Sequence, residues 1–244
     1  MVDNRLVDTE DADGVAIVAR MGLAGLAAIA AAGDPTLGVL AAAALPAADA
    51  AVTRVQTWRR AALAYTLQTA AGAAGTDPEQ LVELLVADPA KLRLLTHSLE
   101  TAQETAWERK LRTLGRALAS GALADDDALV EEETHWTLIL RRIEAPHLRI
   151  IEFLCREDPE YPGKGYLNAG KRTDLQRVSG FRELIGPTLA EMESNGLVRA
   201  TDGAEYDTHF RARWGLTAGL DRTAYVRGEL ARPCLERFEL ASDA

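Results

Sequence analysis

At Asp34-Pro35, Asp77-Pro78 and Asp88-Pro89 of the 244-residue chain an aspartate is followed directly by a proline ahead of an apolar stretch. An aspartate carboxylate accepts hydrogen bonds from the free N–H groups that open a helix. Proline in the first turn gives up no bond that the helix needs. Each dipeptide therefore reads as a helix start. Between and beyond them, apolar residues recur at spacings of three and four rather than two. Trp107, Leu111, Leu114 and Leu118 form one such stripe, and Trp136, Ile139, Leu140 and Ile143 another. The abundance of Ala, Leu, Arg and Glu adds intrinsic helix propensity. The expectation is a mainly α fold.

Residues 1–14 form an acidic tail without the basic leader of a signal peptide, so a cytoplasmic location is expected. Residues 15–145 read as a helical domain. It opens with the most apolar stretch, Val15–Val52, whose uncharged pieces are Met21–Gly33 and Pro35–Ala48, of 13 and 14 residues. A membrane-spanning helix needs about 20 apolar residues, and Ala and Gly contribute little transfer energy. The favoured reading is a buried Ala/Gly-rich helical hairpin whose second arm runs on toward Trp58 and Tyr65. A hairpin that inserts into a membrane is the alternative. Further on, Gln80–Ala87 supplies a short helix with Leu81, Leu84 and Leu85 on one face. Ala90–Thr105 and Ala106–Ser120 follow as helices, with Gly121 closing the second. Asp125-Asp126-Asp127 opens another, where negative charge suits the helix N-terminus. This Ala/Gly hairpin with the later segment Lys110–Gly121 (KLRTLGRALASG) is similar to bacterial proteins of the abortive-infection type.

At Glu144-Ala145-Pro146 the pattern changes. Residues 146–227 carry one amphipathic helix (Leu148, Ile151, Leu154, Cys155) and a Pro/Gly/Tyr-rich loop over Glu157–Lys171. Helices at Asp174–Val178 and Glu183–Ser194 follow, the second ending at Asn195-Gly196. Leu197-Val198-Arg199 is strand-like, and Phe210–Leu216 alternates as a second strand. The segment Leu189–Arg199 (LAEMESNGLVR), with Trp214-Gly215-Leu216-Thr217, resembles the recognition helix, wing strand and LTxxG stretch of the multiple-antibiotic-resistance family of regulators. That resemblance implies a winged-helix-like α+β module and, through it, contact with duplex DNA. Arg182, Thr188, Arg199, Arg211 and Arg213 are the expected nucleic-acid contacts. Three features depart from the family pattern: Pro187 lies in the recognition helix, Glu191 and Glu193 lie on it, and the N-terminal part is not the expected dimerisation helix pair. Residues 228–244 form a C-terminal extension.

Charge limits the partners. The chain carries a formal net charge of −10, with −8 over residues 1–146 and zero over 147–227. An acidic surface repels phosphates, so non-specific nucleic-acid binding by the whole chain is not expected, while local contact by the module is permitted. Four lysines among 27 basic residues indicate a GC-rich bacterial genome.

The candidate chemistry is sparse. Gly165–Lys171 has the spacing of a phosphate-binding loop, but Arg172 stands where Ser or Thr would ligate Mg²⁺. Glu132 and His135 have metal-ligand spacing on one helix face. His97 and Glu100 run in the reverse order, and no complete di-metal set is present. Cys155 and Cys234 lack metal-type spacing, and Cys155 reads as a small buried hydrophobe. No metal, cofactor or catalytic constellation is expected. The expectation is a non-enzymatic regulatory or interaction protein that binds DNA or protein through the module. The helical domain would supply a protein contact or self-association. The alternative is a membrane-associated effector of phage-defence type.

Overall fold

The computed structural model describes residues 35–157, 167–201 and 224–240, with 35–49 and 240 described by their backbone alone. The chain divides into two compact units, residues 1–64 and 65–244. The division falls within the first described helix, α1 (Pro35–Ala74). In the first unit α1 is exposed on most sides from residue 50 to 61, Val55 and Trp58 included. The continuation of the expected hairpin's second arm past Trp58 to Tyr65 is therefore present. Its first arm lies outside the described residues.

The second unit begins with the end of α1 and continues with α2 (Pro78–Val86), α3 (Pro89–Glu104), α4 (Glu108–Leu123) and α5 (Asp127–Arg142). Local chemistry sets the starts. Asp77 accepts from Gln80 N at 2.9 Å, Asp88 from Ala90 N at 2.7 Å, and Asp126 from Ala128 N at 2.9 Å. Helices α3, α4 and α5 each pack on the other two, and side chains at both ends fasten α3 to α5: Arg93 to Glu131, and Arg141 to Glu104. These cross-links place α3 and α5 parallel. Ala70, Leu81, Leu85, Leu94, Leu118 and Val130 fill one core. Removing this apolar surface from water is what holds the layer together. Leu111, Leu114 and Leu118 of the expected stripe are buried, as are Trp136, Ile139, Leu140 and Ile143.

Two details differ from the sequence expectation. Leu84 is 48% exposed and does not share the buried face of Leu81 and Leu85. Gly121 does not close α4, which continues to Leu123; a Cβ there would lie 2.1 Å from Leu94 Cδ2. Its role is close packing of α3 on α4. The end of α4 is instead met by Lys91, whose Nζ donates to Ala122 O at 2.8 Å, a cation at the negative end of a helix.

The remaining elements are α6 (Ala145–Cys155), β1 (Gly170–Lys171), α7 (Arg172–Ser179), α8 (Ile185–Ser194), β2 (Val198–Thr201), β3 (Ala224–Arg227) and α9 (Ala231–Leu240). The strands form one antiparallel sheet in the order β1-β3-β2. Val198 faces Arg227 and Thr201 faces Ala224 across β2/β3, while Gly170 faces Tyr225 across β1/β3. The expected strand Phe210–Leu216 lies outside the described residues. The described partner of β2 is Ala224–Arg227.

Helix α9 packs on α6 and α4. Phe238 stacks on Trp107 with ring centroids 5.2 Å apart, and Arg109 Nε donates to Phe238 O at 3.2 Å. Arg237 holds Glu133 in a two-bond fork at 2.7 and 3.0 Å and lies 4.7 Å over the Trp136 ring. Among the described residues, no helix is long and apolar enough to cross a membrane.

Candidate binding face of the C-terminal module

Helix α8 starts at Ile185, so Pro187 falls in its first turn, where a missing N–H costs nothing. This removes the apparent conflict between Pro187 and a continuous helix. The other end is closed by Gly196 at φ +68°, with Leu197 N bonded to Met192 O at 2.9 Å. That left-handed cap turns the chain straight into β2. Ile185, Leu189 and Met192 point into the core. The outward face presents Pro187, Ala190, Glu193 and Ser194.

The sequence-derived contacts distribute unevenly over this face. Arg182 is exposed just before α8, and its carbonyl accepts from Gln176 Nε2 at 2.5 Å. Arg199 is exposed on β2 opposite Val226. Thr188 is only 7% exposed and donates its hydroxyl to Leu184 O at 2.8 Å, so it is a core position and not a contact. A threonine one turn into a helix satisfies its own hydroxyl in this way when it faces inward. Arg211 and Arg213 lie outside the described residues. Two features escaped the sequence reading. Arg172 lies over the first turn of α8, where a Cβ on Gly186 would be 2.9 Å from its guanidinium. Leu184, 62% exposed, stands at the head of α8.

Both carboxylates of α8 are engaged within the fold. Glu191 lies 3.4 Å from Arg142 of α5, and Glu193 accepts the edge N–H of Ala200 at 3.1 Å. They therefore position α8 against α5 and β2.

Beneath this face lies the α5–α6 junction. Lys110, 1% exposed, donates to Arg141 O and to Glu144 Oε1, each at 2.9 Å. His147 Nδ1 accepts from Glu144 N at 3.0 Å, and its ring meets Phe181 edge-on at 5.7 Å. Burial holds the His147 imidazole below its ordinary pKa, against the opposing pull of Glu191 and Glu144. A lowered folded-state pKa means that the unfolded chain binds the proton more readily. His147 therefore contributes stability above the ordinary histidine value of about 6.5 and loses it as pH falls. Thermal midpoints between pH 7 and 5 should drop more for the wild-type chain than for His147→Gln, whose amide oxygen keeps the acceptor. Parallel curves would remove His147 as the source.

The expected ligand patterns do not assemble. Glu132 and His135 are exposed on α5, while His97 lies 3.8 Å from Glu100, which also faces Arg141. Among the described residues no three His, Cys, Asp or Glu converge to hold a metal ion. In the Gly165–Lys171 segment, Gly170 and Lys171 form β1 and are not part of a loop; a Cβ on Gly170 would lie 2.7 Å from Leu175. Cys155 is half-buried and not fully buried as expected, while burial pushes the Cys234 thiol up to about 12, leaving it inert as a nucleophile. No family model, curated protein or solved structure matches the chain.

Proposed function

We propose that the chain is a non-enzymatic regulatory or interaction protein in which residues 145–240 form a winged-helix module, and that the outward face of α8 docks a protein partner. The observation that carries the module is the order, among the described residues, of helix, strand, helix, helix, strand, strand, with the last of these strands central in the sheet. In that arrangement α8 is the helix offered to a target. Its chemistry favours protein over nucleic acid. The outward face holds Ala190, Pro187 and Glu193 with no Lys or Arg, and Leu184 adds exposed apolar surface at its head. Apolar positions that lose water are what a protein interface uses at its centre.

A second reading, duplex DNA, has its own support in the exposed Arg172, Arg182 and Arg199 around α8. The test treats both. The full chain, cross-linked in its native host, should capture one identified protein, and Leu184→Glu with Ala190→Arg should abolish that capture. A gel shift of duplex DNA at about 50 mM salt, weakened by Arg182→Ala and Arg199→Ala and falling steeply with added salt, would replace the protein reading with the DNA one.

A further inference from the structure

Between α4, α5 and α9, next to the end of α1, the second unit carries a groove of about 700 Å³. Its walls combine apolar surface from Ala73, Ala117, Leu123 and Pro233 with the side chains of Arg116, Glu133, Glu236 and Arg237. The carboxylates are already matched. Glu133 is held by the fork of Arg237, and Glu236 accepts from Arg232 Nε at 2.8 Å. Arg116 differs. It is half-buried, and among the described residues it has neither an ion pair nor a hydrogen-bond partner. An arginine offers five fixed donors suited to a planar or tetrahedral anion. Holding one half-buried without an acceptor leaves that capacity for a ligand.

We infer that this groove binds a small amphipathic organic monoanion, its acidic group on Arg116 and its apolar body against Ala117, Leu123 and Pro233. The charge sets the sign and the valence: once the internal pairs are counted, one positive charge remains. The volume sets the size, since small-molecule sites run from roughly 300 to 1,000 Å³ and combine apolar walls with a few convergent polar groups. This assignment is independent of what α8 binds. A ligand here would touch α9, whose preceding residue Leu230 donates its N–H to Gly196 O, the C-terminal cap of α8, at 3.0 Å.

The probe is 1-anilinonaphthalene-8-sulfonate, a fluorescent monoanion, with N-phenyl-1-naphthylamine as its uncharged counterpart and octanoate as competitor. The full chain should bind the anionic probe at a single site from which octanoate displaces it. Arg116→Gln should weaken the anionic probe by about tenfold or more, the loss of one charge-assisted bond pair, and leave the neutral probe unchanged. Arg116→Lys should recover part of the loss. Ser120→Trp, which fills the groove from an exposed position, should abolish both probes while circular dichroism stays at the wild-type level. Absence of anionic-probe binding to the wild-type chain, equal binding by wild type and Arg116→Gln, or both probes surviving Ser120→Trp would each overturn the site.

Discussion

Phe238→Ala should lower the unfolding free energy by about 3–5 kcal/mol, the range for truncating a fully buried phenylalanine. Its side chain is 0% exposed, its ring stacks on Trp107, and the Arg109 guanidinium lies 5.7 Å from its centroid. The alanine variant loses apolar burial, an aromatic pair and a cation–π contact together. A chain ending at Gly228 removes more: Ala231, Cys234 and Leu235 are also buried, and Glu133 would lose its Arg237 fork. That truncation should abolish the cooperative urea transition of the second unit. Arg232→Ala, which breaks an exposed helical pair with Glu236, should leave the urea midpoint at the wild-type value. A truncated chain that kept the wild-type urea midpoint would reduce α9 to an appendage.

Helix α9 also marks where the sequence could have been read further. Ala231, Cys234, Leu235 and Phe238 recur at spacings of three, one and three, a full helical stripe within a segment treated as an extension. Four charged residues among its ten hide the stripe from composition alone. The helix starts were legible because capping is local: an aspartate needs only the next few N–H groups. Strand β1 was not, because two residues carry no periodicity. Gly121 reads from sequence as a stop signal, since a glycine after an apolar stripe commonly ends a helix. Its actual partner, Leu94, is distant in sequence and comes close only through packing. The candidate sites divide in the same way. Arg182 and Arg199 are exposed as their type suggests, but Thr188 is turned inward by one step of helical phase. Arg116 carried no signal at all, because being unpaired is a property of its surroundings rather than of its spacing.

Lys110 should produce the second large effect, and the size should depend on the replacement. Its stem fills the α4–α5 interface, and its ammonium meets the last-turn carbonyl of Arg141 and the Glu144 carboxylate. Lys110→Ala leaves a cavity and a carbonyl without its donor, costing about 3–5 kcal/mol in urea unfolding. Lys110→Met refills most of the volume, so only the lost donor remains and the cost falls to about 1–3 kcal/mol. Glu144 adds little to either figure, because its half-exposed carboxylate recovers water when the lysine is gone. The pH dependence separates stem from charge. Burial lowers the Lys110 pKa, with the Glu144 hydrogen bond opposing it. The unfolded chain therefore binds this proton more tightly, and stability linked to Lys110 rises as pH climbs toward the ordinary lysine value of about 10.4. Against Lys110→Met, which cannot titrate there, the wild-type advantage should widen between pH 7 and about 10. Tyr65, whose pKa burial and its bond to Glu108 raise, is common to both chains and cancels in the difference. Methionine and alanine variants of equal stability, or a difference that stays flat with pH, would show that neither the buried stem nor the buried charge acts as this geometry requires.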